Sequence, residues 1–207
     1  RSWGDWQGNL LVEGFYTDLS DVFALKELGF ENGVLIKERH NESGARVIGG
    51  NLEAKVAWKD ILQVQFGLTA QDSKYKEARK WSDDVEETRA MFRTPSIYGY
   101  WTASYNPIKP LSLAFTGTYT GSMLIEHHAG MIEENTTAKT PDFWDMGLKA
   151  AYNLKLYENF NLQVNAGVQN ILNSFQNDFD SGADRDSGYM YGPTLPRTFF
   201  MGLKLMY

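Results

Sequence analysis

Few residues in this chain have the type and spacing to do chemistry. His127 and His128 are adjacent and flanked by Glu126, Glu133 and Glu134. Such a donor set could bind a metal, a haem or a metal chelate. Metal sites need ligands that converge in space, and neighbours on an extended chain point to opposite sides. A solvated polar loop is the competing reading; the third histidine is His40. A second cluster, Asp178, Asp180, Asp184 and Asp186, lies in a Gly-containing stretch and could wrap calcium. No Glu closes the loop at EF-hand spacing, and Arg185 stands among the carboxylates. Nucleophile elbows, phosphate-binding loops and His-Glu-x-x-His are all absent from the sequence. There is no cysteine, which removes thiolate zinc sites, cysteine nucleophiles and disulfides. No enzyme and no cofactor is expected.

The composition narrows the class. The chain has 207 residues and a net charge of −6, which opposes nucleic-acid binding, since phosphates call for a basic stripe. With 43% hydrophobic and 22% charged residues it is not a disordered chain. No apolar run is long enough for a transmembrane helix, but that says nothing against strands. Aromatics at 14% and 19 glycines suit a β protein.

The hydrophobic period is two. Phe160, Leu162, Val164, Ala166 and Val168 fall on one face, against Asn161, Gln163, Asn165 and Gly167 on the other. The same alternation runs from Trp144 to Leu156, Leu111 to Met123, Leu62 to Ala70 and Phe199 to Tyr207. It returns more faintly over Gly8–Thr17, Val47–Trp58 and Ile97–Tyr105. These stretches predict eight long strands. Globular strands usually have about 5–6 residues, whereas a tilted membrane strand needs roughly 9–11.

Short and long connections alternate as well. Turns at 59–60, 106–110 and 157–159 are separated by long segments at about 21–45, 76–95, 126–141 and 173–196. Tight periplasmic turns and long extracellular loops are the pattern of outer-membrane barrels. Within the first long segment, Val34–Arg39 reads either as loop or as the upper part of the strand that continues to Trp58. A soluble barrel with apolar residues inside would also alternate. Glu13, Glu53, Lys55, Asp145, Lys149 and Lys155 all fall on the more polar face, which suits a wet lumen with lipid outside. Aromatic residues near strand ends, such as Trp58, Tyr105, Tyr119, Trp144 and Phe160, suit interfacial girdles. The expected fold is therefore an all-β, transmembrane, antiparallel up-and-down β-barrel segment of about eight strands, with outer-membrane lipid as its surroundings.

An ordered set of motifs resembles the C-terminal part of the barrel of TonB-dependent outer-membrane receptors. It comprises Phe15–Asp21, then Asn41-Glu42-Ser43-Gly44-Ala45-Arg46-Val47-Ile48-Gly49, with Asn51 where the family commonly has Glu. It continues with Gly167-Val168-Gln169-Asn170-Ile171-Leu172-Asn173 and the entry Tyr191–Phe199 to the last strand. The resemblance implies a fragment, residues 1–207, of a larger receptor whose N-terminal plug and TonB contact lie outside this chain. It implies TonB-dependent uptake of a scarce nutrient of the iron-siderophore, haem or vitamin B12 class across a bacterial outer membrane. The alternative is a complete, small, eight-stranded structural or adhesive outer-membrane protein. By the same resemblance, Phe199, Met201, Leu203, Leu205 and the terminal Tyr207 form the signal read by the barrel-assembly machinery. In physical terms, an amphipathic strand with a free edge can be templated by another edge.

Overall fold

A computed structural model describes residues 2–207. In chain order the strands are β1 (Ser2–Trp3), β2 (Trp6–Leu19), β3 (Val22–Glu31), β4 (Val34–Glu42) and β5 (Ala45–Trp58). Next come β6 (Leu62–Arg79), β7 (Thr88–Ala90), β8 (Ile97–Ile108) and β9 (Leu111–Thr120). The remainder are β10 (Leu124–His127), β11 (Thr136–Lys139), β12 (Phe143–Tyr157), β13 (Phe160–Gln169) and β14 (Thr198–Met206). One antiparallel sheet runs β1-β2-β5-β6-β8-β9-β12-β13-β14, with β7 added on β6. The eight expected strands are β2, β5, β6, β8, β9, β12, β13 and β14, each beside its predicted neighbour. The sheet is open: β14 pairs with β13, and no pairing joins it to β2 among the described residues.

Register carries the alternation across the whole sheet. Val12, Leu52 and Leu68 lie side by side, and so do Phe115, Leu148 and Val168 on the strands β9, β12 and β13. The opposite face carries Glu13 beside Asn51 and Thr69, and Lys149 beside Gly167. A slip of one residue on any strand would exchange the faces, so this agreement fixes the register. All six charged side chains expected on the polar face lie there. Large apolar side chains on the other face stand exposed, as a lipid-facing wall requires: Leu10 69%, Val12 72%, Leu203 69%. At the short-turn end, Trp6 stacks on Trp58 (5.9 Å between centroids) and Phe160 lies against Tyr207 (5.2 Å). Toward the other end, Tyr119, Trp144 and Trp101 form a second aromatic cluster.

Glycines on the wall make room for rings lying on the sheet. A Cβ at Gly167 would come within 2.4 Å of the Phe200 ring, and one at Gly67 within 2.3 Å of Tyr100. The cross-strand ring covers the glycine and replaces the packing it lacks.

The long connections hold more order than their polar composition predicts. Val34–Arg39 is neither loop nor a continuation of β5. It belongs to β4, which pairs with β3 in a separate hairpin. Gly44 makes the break, at φ +99, with a Cβ there only 2.1 Å from the Leu19 carbonyl oxygen. The strand beginning at Leu62 runs on to Arg79 instead of stopping near Ala70, and the one beginning at Leu111 ends at Thr120, not Met123. The segment 126–141 is not a plain loop. Its flanks pair as the β10–β11 hairpin, with His127 opposite Thr136. Tyr207 lies just past the end of β14.

Candidate functional site

The wall's polar face and the loops above it make two layers. On the wall, Thr69 Oγ1 donates to Asn51 Oδ1 (2.9 Å), and Asn51 Nδ2 donates to Glu13 Oε2 (3.2 Å). Gln65 Nε2 donates to the Tyr100 hydroxyl (3.0 Å), and Gln163 Nε2 to Asn153 Oδ1 (2.9 Å). Across β8 and β9 this face offers Tyr98, Tyr100, Thr102, Thr116, Thr118 and Thr120, a stripe of hydroxyls without charge. Two hollows open on it. One, about 490 Å³, lies between Tyr100, Thr118 and Asp145 and the segment Pro193–Pro196. The other, about 780 Å³, lies between Asn51, Glu53, Tyr98 and Tyr100 and the segment Arg93–Pro95.

Above the wall, the loops fold into a cap with its own core. Ile125, Phe143, Tyr189 and Tyr191 are buried together, with Met123 and Ala138 packed against them. Gln176, 1% exposed, donates from Nε2 to the Tyr189 carbonyl (3.1 Å) and accepts from the Tyr191 amide (2.7 Å). Asn170 closes the base of the segment 173–196. Its Nδ2 donates to the carbonyls of Ser174 and Leu195, and its Oδ1 accepts from the Ser174 amide. Asn173 Oδ1 accepts from the Arg197 amide (2.9 Å). Both asparagines have positive φ (49° and 56°), a conformation asparagine tolerates better than most residues. The Gly167–Asn173 motif is thus the staple at the foot of the last long loop. From the other side, Arg93 donates to the Met190 and Gly188 carbonyls.

The structure brings the two sequence-predicted clusters into contact in this cap, but their side chains do not converge on one point. His127 is buried; its ring stacks on Tyr189 at 3.6 Å, and its Nε2 donates to Asp180 Oδ1 (3.0 Å). His128 points elsewhere and meets the edge of Trp81 (4.9 Å). His40 lies on β4 beside Glu42 (3.2 Å). Asp178 accepts from the hydroxyls of Tyr191 (2.7 Å) and Tyr189 (3.0 Å). Asp180 also accepts from the Asp186 amide, and Asp186 from the amides of His128 and Gly188. Asp184 is exposed. Each of Asp178, Asp180 and Asp186 therefore organises the loop. Among the described residues, no group of three or more His, Asp or Glu side chains converges to hold a metal ion. Phe199, Met201, Leu203, Leu205 and Tyr207 lie on the outward side of the free edge and are 63–92% exposed.

Electrostatics follow the hydrogen bonds. Burial alone would raise the Asp178 carboxyl, but bonds from Tyr191, Tyr189 and Gln176 outweigh it and hold the group below its ordinary value. Burial, then the neighbouring Asp178 carboxylate, pushes the Tyr189 and Tyr191 hydroxyls up. The sequence reading missed Gln176, Tyr189, Tyr191, Trp81 and Arg93. One signal was available: Tyr189 and Tyr191, two residues apart on an extended segment, face the same way, and Asp178 is the nearby acceptor.

The family model described as TonB dependent receptor-like, beta-barrel matches residues 1–171. The chain belongs to that family. Solved structures agree with its fold. The ferric-catecholate import receptor Fiu from E. coli K12, in its closed form, superposes with a TM-score of 0.64 at 22% identity, covering 96% of this chain and 25% of that one. The copper transporter OprC gives 0.57 at 18% identity, over 97% of this chain and 29% of that one. The siderophore receptor PirA from Acinetobacter baumannii gives 0.58 at 14%, over 98% and 30%. This TonB-dependent receptor-like chain therefore spans about a quarter of the length of Fiu. No curated protein matches it. Family members are outer-membrane β-barrels that act as receptors.

Proposed function

We propose that the chain is the C-terminal part of the barrel of a receptor that takes up a scarce nutrient across the outer membrane. The observation that carries this reading is the open sheet: one face is apolar and exposed, the other polar, and the family model covers most of it. Two unpaired edges cannot face lipid, so β2 and β14 need further strands beside them. Energy coupling through TonB belongs to a plug outside residues 1–207. In this reading the cap meets the ligand outside, and the hydroxyl stripe lines the way through. The chain itself binds and positions; no enzymatic activity is assigned to it. Phe199, Met201, Leu203, Leu205 and Tyr207 serve as the strand presented to the assembly machinery.

The nutrient is of the iron-siderophore, haem or vitamin B12 class, and copper joins the panel because OprC is as similar as the siderophore receptors. In the cap, His127 and His128 are the side chains with ligand chemistry. The carboxylates Asp178, Asp180 and Asp186 shape the loop packed against them, and Asp184 stays exposed on it. The test is binding of ferric siderophores, haem, cobalamin and copper to the intact membrane-inserted protein, followed by uptake with and without TonB. Saturable binding of one class and TonB-dependent uptake of it support the reading. Binding without any TonB dependence would contradict it.

A further inference from the structure

The outward face of β2, β5 and β6 changes character near its outer end. Continuous register places Trp6, Trp58 and Leu62 in one row and Tyr16, Ile48 and Asp72 in another, ten residues further along β2. At about 3.4 Å per residue and a tilt of about 40°, those rows are roughly 26 Å apart along the membrane normal, close to the height of a barrel's apolar band. Between them the face is apolar or glycine. The next row up is Asp18, Arg46 and Lys74. Lys76 follows on β6; its ammonium pairs with Asp18, while Lys74 pairs with Asp72 (3.0 Å). Arg46 is exposed beside Asp18. This face therefore carries Arg46, Lys74 and Lys76 against Asp18 and Asp72, just where lipid headgroups begin.

The cluster is local. The outward ends of β8, β9 and β12 carry Ile97, Tyr119 and Trp144, with no cation. The pairs on β6 are weakly held, since the side chains of Lys74, Asp72, Lys76 and Asp18 are 37–53% exposed. Exposed pairs contribute little and yield to a stronger anion. A phosphate carries more charge and more acceptor oxygens than a carboxylate, and it can bridge Lys74 and Arg46, which are direct cross-strand neighbours. Tyr16 and Ile48, 61% and 49% exposed, lie one step below, where acyl chains start.

We propose that Arg46, Lys74 and Lys76 form a docking site for an outer-leaflet lipid that bears several phosphates, with Tyr16 and Ile48 against its chains. This rests on the membrane reading above. On binding, phosphates take the place of Asp18 on Lys76 and of Asp72 on Lys74, and both carboxylates turn to water.

The test uses the intact protein in nanodiscs of phosphatidylcholine, with bis-phosphorylated lipid A or its dephosphorylated form added. Lipid retained by the protein is counted by native mass spectrometry. The expected result is retention of the phosphorylated form only, weakened by salt. R46Q/K74Q/K76Q should lose about five-fold per cation removed. Lys59→Gln, on the opposite rim, should retain lipid like the wild type. If the triple variant fails to assemble, Arg46→Glu alone should still lose at least about five-fold. Wild-type retention by an assembled variant, equal retention of the dephosphorylated lipid, or an equal loss in Lys59→Gln would overturn the site. Heat-modifiable gel mobility keeps this separate from the membrane reading. A closed barrel without lipid retention sinks only the site, whereas no closed barrel in any form sinks the reading beneath it.

Discussion

The wall and the cap are built on opposite principles. Of the buried hydrophobic residues, Ala151 alone lies well within the wall strands; Ala24, Trp81, Val85, Ile125, Phe143, Tyr189 and Tyr191 belong to the cap, and Ala45 sits at the boundary. The wall has no interior. Its backbone is satisfied by cross-strand pairing, and its outward side chains are left for the surrounding lipid. The cap stands in water and must enclose its own core. Its irregular segment from 173 to 196 does not pair as strands, so side chains such as Asn170, Gln176 and Asp186 satisfy the backbone instead. A wall can vary in sequence while its period is kept, but the cap depends on individual side chains.

That contrast can be broken from the cap's side first. Ile125→Ala empties a fully buried site, and such truncations cost about 2–5 kcal/mol. Hydrogen exchange should accelerate over 173–196 and the β10–β11 hairpin, with barrel assembly unchanged. Slower assembly with an intact cap would mean that the two layers fold as one. From the wall's side, Val164→Arg should impair membrane assembly, because Arg at mid-bilayer costs about 2–4 kcal/mol on the lipid face. Gln163→Arg, one residue away on the lumenal face, should be much milder; a reversed order would mean that the faces are exchanged.

A smaller effect is expected at the staple. Asn170→Ala removes a buried side chain and its three hydrogen bonds to the Ser174 and Leu195 backbone, for a local loss of about 1–3 kcal/mol. Limited proteolysis should then cut within 173–196 in a protein that still assembles. The smallest effect is pH. Asp178 is lowered, so its contribution is present above its ordinary value near 3.8 and fades as pH falls through the lowered one. Tyr189 and Tyr191 are raised, so theirs is present below 10 and fades as pH rises through the raised values. The cap should hold between these limits and loosen at strongly alkaline pH. A Tyr191→Phe variant should lose one late-titrating tyrosinate signal. An unchanged titration would remove the cluster from the account.

The wall was legible because its physics is periodic. Val164 and Gln163 reveal their faces by position alone, and the same rule placed Glu53 and Lys149 in the lumen. The family motifs were legible too, and the structure gives one of them a reason in Asn170. The cap was opaque because its contacts join distant residues without a period. Nothing local tells that Asp178 accepts from tyrosines at 189 and 191, that Arg93 reaches Met190, or that Trp81 donates to Thr137. The break between β4 and β5 depends on the close approach of Gly44 to Leu19, a tertiary fact. His127 and His128 looked alike in sequence, yet the hairpin turns them to different neighbours.

The central claim is that successive positions of each wall strand alternate between lipid and water, so that on β13 the even-numbered positions meet lipid and the odd-numbered ones meet water. The stretch contains no native cysteine, so single cysteines can be placed at each position from 160 to 168 in the intact, membrane-inserted protein. Each would carry a spin label, and its relaxation by oxygen and by a water-soluble nickel chelate would be measured. The account predicts a period of two: oxygen dominates at 162, 164, 166 and 168, and the chelate at 161, 163, 165 and 167. A flat profile, or the same period with the two reagents exchanged, would contradict it.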